Sequence, residues 1–301
     1  YFGEWNKDEA GNPLPYLDRY EIRIVKDVNA ALAEFLAGNI DIFNPSTVDH
    51  ISQIRQAVQQ GRLDATIKVN ASPVASSQFM VFNWNKASDP FKQSLFRSDK
   101  FRRAMSHLVN RQAVIDIVYG GLGTPMYSSV YPVLTQWINP KVPKYEYDPK
   151  QAAKLLAELG FTKKDREGYL VDSKGRRIEL NLATNAGNTQ REQIAKLIVD
   201  EAKKVGVKVN FQAIDFNTLV GQLLSSGPDR PFDAIIIGLT GGGLDWPFGS
   251  NVVPCKGNLH MWNKSGQCLD PRETLMEKLY YQGRTELDFK KRVEIGYRMQ
   301  E

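Results

Sequence analysis

The chain's reactive side chains are few, and their spacing argues against most bond chemistry. Its only histidines are His50, His107 and His260, and none has a second histidine or a cysteine at ligand spacing on one face, so a zinc site is not expected. His107 falls in an amphipathic pattern and reads as an ordinary helix residue. No G-x-S-x-G turn is present to expose a nucleophilic serine, and no G-x-x-x-x-G-K-S/T loop to cradle a phosphate. Gly241-Gly242-Gly243 follows a strand-like run, as a phosphate loop would. The next residues, Leu244, Asp245, Trp246 and Pro247, do not open a helix with a basic anchor, so the glycines read as a flexible turn. Some acid pair can always be named among 34 carboxylates, but none is singled out by its neighbours for glycoside hydrolysis. No catalytic residue, metal or cofactor is expected.

Cys255 and Cys268 lie close together in a segment rich in Gly, Asn and Ser. Such a pair fits one disulfide in an oxidising compartment. The competing reading is two free thiols, one of them buried.

Aromatic and amide side chains gather in loops that follow strand-like runs: Thr184-Asn185-Ala186-Gly187-Asn188, then Asp245-Trp246-Pro247-Phe248, then His260-Met261-Trp262-Asn263. In α/β sheets ligands sit at the carboxyl ends of strands. Tryptophans offer broad apolar faces there, and Asn and Asp give directional hydrogen bonds. The expected ligand-binding residues are Asp245, Trp246, Gly243, Asn185, Asn188 and Trp262. Any one of these tryptophans is as readily a packing residue.

The elements that would position these loops are legible from period and punctuation. From 178 the chain reads strand (178–183), helix (190–205, ended by Gly206), strand (207–214), helix (217–225) and strand (232–238). That alternation argues an α/β sheet with parallel pairing. The run Ala234-Ile235-Ile236-Ile237 suggests a strand buried on both faces. Asp148-Pro149 opens the clearest helix, with Asp as N-cap, Pro at the first helical position and Gly160 past the end. Phe101, Met105 and Leu108 mark an amphipathic helix, and 110–118 makes another. A long loop rich in Pro and aromatics spans 123–147, a hairpin tip 168–177, and helices 272–281 and 287 onward close the chain. Upstream, alternating Tyr20, Ile22 and Ile24 read as a half-buried strand. A helix (30–37), a strand (40–43), a helix (48–60) and a strand (65–69) follow. The aromatic-rich extended run 78–85 is ended by Asp89-Pro90, where a domain crossing is expected.

A length of 301 residues suggests roughly two domains. With 42% hydrophobic and 24% charged residues, the composition excludes a disordered chain. No apolar run approaches the ~18 residues that cross a bilayer. A net charge of +5 is weak, and the basic groups Lys203-Lys204 and Lys290-Lys291-Arg292 sit among acids, so no nucleic-acid partner is expected. The chain begins at Tyr1 and stops at Glu301 inside a helical pattern. It reads as a fragment, with any export signal upstream.

Several segments together resemble the large solute-binding proteins, family 5, that feed ABC importers of dipeptides, oligopeptides and related solutes. Leu14-Pro15-Tyr16-Leu17-Asp18 with Ala37-Gly38-Asn39-Ile40-Asp41 is close to the family's "P-x-L-D … S/A-G-E-I-D". Asp89-Pro90-Phe91, Phe101-Arg102-Arg103-Ala104 and Asn110-Arg111 are similar to "P-F-x-D-x-R-V-R-x-A … D-R". Tyr147-Asp148-Pro149, Ala152, Lys154-Leu155-Leu156 and Leu159-Gly160-Phe161 match "Y-D-P-x-x-A-x-x-L-L-x-E-A-G-F". Phe232-Asp233-Ala234 and Asp245-Trp246-Pro247 follow in order.

The resemblance covers essentially the whole chain. It implies an α/β, two-lobed periplasmic-binding-protein-like fold (type II), of which this chain holds the second lobe and part of the first. Residues 1–77 would be the incomplete end of the first lobe, 78–85 a hinge strand and 86–301 the second lobe. The implied role is to bind a peptide or an oligosaccharide between the lobes and deliver it to the transmembrane subunits of an ABC permease. The protein would be a periplasmic or otherwise extracytoplasmic monomer, without bond chemistry; an extracytoplasmic hydrolase is the reading of another class. In peptide-binding members an Asp four residues before the turn's Pro pairs with the ligand's amine. Gly243 holds that place here and the acid Asp245 stands two before Pro247.

Overall fold

A computed structural model describes residues 7–45, 47–68, 76–241 and 246–301. The chain divides into two compact units, Tyr1–Phe43 and Asn44–Glu301.

The first unit contains α1 (Val28–Leu36), which starts where Asp27 accepts hydrogen bonds from the backbone N–H groups of Asn29 and Ala30. Such a cap satisfies donors that have no partner inside the helix. Leu32 and Phe35 are buried, and the Phe35 ring stacks on Phe43 with centroids 5.6 Å apart. The expected strand at Tyr20, Ile22 and Ile24 does not form: these side chains are 68%, 74% and 87% exposed. No strand forms at 40–43 either. Alternation prepares a segment for a ladder but supplies no neighbouring strand to pair with.

The second unit opens with α2 (Val48–Gln59), capped by Thr47 and followed by Gly61 at φ 68°. Residues 63–68 are not a strand. The main sheet is built from β1 (Ser76–Phe82), β4 (Glu179–Asn185), β5 (Lys208–Ile214) and β6 (Ala234–Thr240), in the order β1-β6-β4-β5. The short β2 (Lys163–Lys164) and β3 (Leu170–Val171) pair separately, and Val171 bridges Arg177 across the expected 168–177 tip. β4 runs parallel to β5, with Glu179 opposite Lys208, and parallel to β6, with Leu182 opposite Ala234. β1 lies antiparallel to β6 from Ser76 opposite Thr240 to Phe82 opposite Ala234.

Side chains on the two faces of this sheet enter different cores, as a period of two requires. Phe82, Leu180, Leu182, Ala234 and Ile236 pack with α4 (Asp99–Leu108), α6 (Pro149–Glu158) and α7 (Thr189–Val205). Val81, Ala183, Ile235 and Ile237 pack with Leu219 and Leu223 of α8 (Phe216–Leu224). Both faces are covered, which explains the unbroken apolar run of β6. Each buried Leu or Ile contributes about 1.5–3 kcal/mol, so neither face could be left to water.

The helices begin where capping residues stand. Asp148 accepts from the N–H of Gln151 at 2.9 Å, ahead of Pro149. Asp89 does the same for Lys92 ahead of Pro90, opening α3 (Pro90–Arg97), a helix that reading Asp89-Pro90 only as a terminator misses. Asn110 caps α5 (Arg111–Val118). The 123–147 segment contains one 3-10 turn, Thr135–Trp137, whose fully buried Trp137 joins α9 (Pro271–Thr285) and α10 (Phe289–Arg298) in a third core. Among the described residues no helix is long and apolar enough to cross a membrane.

Candidate functional site

The strand order brings several strand ends together. From β4 the chain passes through α7 to β5 on one side; from β5 it passes through α8 to β6 on the other side of β4. β4 and β6 are therefore parallel neighbours, with α7 and β5 following β4 on the side away from β6, and the carboxyl ends of such strands are where α/β sheets receive ligands. Asn185 ends β4 and Thr240 ends β6; Gly241 follows with φ 101°, a value that favours glycine. Because β1 is antiparallel to β6, its amino-terminal half comes to this same end and sets Gln78 opposite Gly238.

Arg191 joins these elements. Its Nε donates to Gln78 Oε1 at 2.8 Å and its Nη1 to Asn185 Oδ1 at 2.7 Å. Asn188 caps α7, accepting from the N–H of Arg191 at 3.0 Å, and Glu192 turns back to accept from the N–H of Gly187. Burial pushes the Arg191 pKa below its ordinary value, and the nearby Tyr119 phenol opposes that shift. The amide–guanidinium–amide arrangement can bind a polar or anionic group. It contains no nucleophile–base pair.

The other residues expected from sequence lie elsewhere or outside the described residues. Gly243 and Asp245 belong to the latter. Trp246 packs in the third core: its ring stands 4.9 Å from Phe248 and 5.8 Å from Trp137, and a β-carbon on Gly283 would meet it at 2.0 Å. The face that the sequence offers for stacking is thus taken up by packing, and its Nε1 is buried without a hydrogen-bond partner among the described residues. Trp262 donates its Nε1–H to Glu273 at 2.6 Å and accepts the backbone N–H of Trp84 at its carbonyl. With Trp84, Phe79, Met80 and Arg272 it lines a cleft of about 390 Å³ along the free edge of β1. Of the six expected ligand residues, the structure brings Asn185 and Asn188 together at the end of β4 and the start of α7.

Glu273 is the hub of the loop that precedes α9. It accepts from His260 Nε2 (3.0 Å), Trp262 Nε1, Asn263 Nδ2 and the backbone N–H groups of Leu269 and Asp270. Burial opposes its charge, but these donors outweigh burial and hold its pKa below the usual carboxylate range. Cys255 and Cys268 are bonded across the same loop, with Cα atoms 5.3 Å apart, as the close pair suggested. Ligand atoms of Cys255, His260 and Glu273 lie within 4.8 Å of one another. With the sulfur in a disulfide and the carboxylate fully engaged, this grouping fastens the loop.

Arg191 and Gln78 are the residues of this cluster that sequence reasoning passes over. A basic residue in the first turn of a helix runs against the helix dipole, and that was the one trace of Arg191 in the sequence. Nothing local marks Gln78, which is placed by strand pairing alone.

Comparison with known proteins agrees with this architecture. A family model for bacterial extracellular solute-binding proteins, family 5 (middle), matches residues 2–257. A probable ABC transporter-binding protein of Deinococcus radiodurans is 52% identical across all of this chain and 52% of its own length. The oligopeptide-binding protein AppA of Bacillus subtilis, solved with a nonapeptide, superposes with a TM-score of 0.71 at 25% identity, over 92% of this chain and 50% of that one. A periplasmic binding protein of Agrobacterium fabrum, solved with stachyose, shares the fold with a TM-score of 0.74 at 20% identity, over 97% of this chain and 45% of that one. The chain spans about half the length of the relatives it matches. With residues 2–257 matched by the family model, the chain belongs to the bacterial extracellular solute-binding proteins, family 5.

Proposed function

We propose that this chain is part of the solute-binding component of an ABC importer, which holds a peptide between two lobes outside the cytoplasm and delivers it to the permease. The observation that carries this reading is the meeting of Asn185, Arg191 and Gln78 at the carboxyl ends of β4 and β6. Amide and guanidinium groups are suited to holding a solute, not to breaking one. In this reading residues 1–77 belong to the first lobe, 78–85 form the hinge strand and 86–301 form the second lobe. The loop carrying Gly243, Asp245 and Trp246 borders the bound solute, Asp245 pairs with its amine, and Trp262 lines the outer wall. The protein acts as a monomer, and ligand contact with both lobes favours the closed form. The nonapeptide bound by the Bacillus subtilis relative supports a peptide. The stachyose held by the Agrobacterium fabrum protein makes an oligosaccharide the second reading.

Native mass spectrometry of the full-length gene product, purified without denaturation, tests this. Retained masses that fragment as peptides support the proposal. Retained saccharide masses replace the solute class and keep the role. Turnover of a supplied peptide or saccharide overturns the reading.

A further inference from the structure

Resting on the reading of residues 1–77 and 86–301 as two lobes that close on a solute, we propose that Val48 and Gly120 form the stop of that closure. The Val48 side chain seats on Gly120 in the closed form and leaves it in the open form, and the missing β-carbon sets how near the lobes come.

The pair meets from opposite sides of β1 in the chain. A β-carbon on Gly120 would overlap a methyl group of Val48 and stand 3.1 Å from the Val48 Cβ. Gly120 also has φ 57°, which favours glycine. Among the described glycines that a β-carbon would crowd, Gly120 is the one met by a residue preceding β1. Gly238 is crowded by β1 and Arg191, Gly283 by Trp246, and Gly296 by Trp137 and Phe248.

Each face is built without the other. On one side Thr47 accepts the N–H of His50 and opens α2, with Val48 as its first residue. A β-branched side chain in a helix has little rotamer freedom. On the other side the N–H of Gly121 donates to the Ile115 carbonyl at 2.9 Å and that of Leu122 to the Tyr119 carbonyl at 3.0 Å, which fixes the turn after α5. Two surfaces that hold their own shape can part and rejoin without either unfolding. The contact is a rim and not a core: Val48 stays 40% exposed, and Ile117 and Leu122, which flank Gly120 in the chain, stay 65% and 70% exposed. It is apolar, so parting returns only a small area to water.

The stop borders the strand-end cluster. Tyr119 precedes Gly120, and its phenol lies near enough to the Arg191 guanidinium for each to influence the other's charge. α5 packs on α7, the helix that carries Arg191. A side chain at 120 would therefore prop the lobes apart beside the solute and weaken every contact that needs both lobes.

The test uses the full-length gene product with nitroxide labels at Gln59→Cys and Lys203→Cys, two exposed helical positions; the native cysteines are bonded to each other. Pulsed electron paramagnetic resonance reads the label separation. Calorimetry reads affinity for a random pentapeptide pool and for stachyose. Binding of either solute should gather the separations into one narrow population. Gly120→Ala should weaken binding about 10-fold or more and spread the separations again. In a Val48→Ala background that penalty should fall below about 3-fold. An equal penalty in the Val48→Ala background assigns the loss to the backbone at φ 57° and overturns the stop. Wild-type affinity in Gly120→Ala overturns it too. Solute binding with an unchanged separation makes 48 and 120 parts of one rigid body, which overturns the stop and leaves the solute-binding reading standing. Should neither probe bind, the two solute classes fall and the unliganded separations decide. A closed population lost in Gly120→Ala and regained with Val48→Ala supports the stop, and one unchanged separation overturns it. Should Gly120→Ala fail to fold by circular dichroism, Gly120→Asn, whose side chain tolerates this φ, takes its place.

Discussion

Gly238 and Arg191 fit together because one lacks a side chain: a β-carbon at 238 would come within 2.9 Å of the arginine's Nη2 and 2.7 Å of the Ser77 carbonyl oxygen on β1. The first contact involves the end of a flexible side chain. The second involves backbone, and backbone yields only by moving the strand. Gly238→Ala is therefore expected to lower stability by about 1–3 kcal/mol, measured by urea denaturation. An unchanged midpoint would mean that β1 is not held at this register.

Glu273 accepts from five residues at the head of α9, and its pKa is depressed in the folded state. A carboxyl group of this kind contributes stability that is complete above its unfolded pKa and disappears as pH falls through the folded value. The wild type should lose stability on acidification below about pH 4. Glu273→Gln should be less stable than wild type near pH 7 by about 1–3 kcal/mol, and the two should converge at low pH. Parallel denaturation curves across that range would contradict this.

Asp270, the N-cap of α9, is held down to about pKa 2, chiefly by the Arg272 side chain, whose Nε donates to it at 2.8 Å. The same sign applies: its contribution is present above pH 4 and fades as pH approaches 2. Replacing Arg272 with Met should raise the pKa of Asp270, visible in the carboxyl carbon shift by NMR titration. A carboxyl titration unmoved by the replacement would show that the pair is not formed.

The Cys255–Cys268 bridge spans thirteen positions. Loop-closure entropy for a ring of that size is worth about 3 kcal/mol. Reduction, or the double replacement by Ser, should lower the urea midpoint by a corresponding amount. Glu273 would still tether the far end of the loop, so the fold should survive. Loss of all structure on reduction would assign the bridge a larger role.

Asn188 serves α7 as a cap whatever else it does, since its Oδ1 accepts the Arg191 N–H. Asn188→Ala should therefore cost about 1 kcal/mol, while Asn188→Asp should keep the cap. If Asn188 also touches the solute, Asn188→Asp should alter affinity with stability preserved, and calorimetry beside a thermal melt separates these effects.

Much of the second unit was legible because its signals are local. Asp148-Pro149 with Gly160, and Gly206 at φ 91° closing α7, each act within a few residues of themselves. The same rule applied at Asp89-Pro90, where the pair was read as an end when it was also a beginning. At Tyr20, Ile22 and Ile24 the pattern was present and the partner strand was not.

By itself, then, the sequence determined the βαβαβ alternation, the helix starts, the closeness of the cysteines and the family motifs, all of which depend on spacing along the chain. Only the tertiary structure decided that β1 joins β6 antiparallel, which brings Gln78 to Asn185 and Arg191, and that Trp246 spends its ring on packing against Trp137 and Phe248. Ladder register and the pairing of charges are choices among distant neighbours. Residue order limits them, but the free energy that selects one comes from burying both faces of the sheet at once.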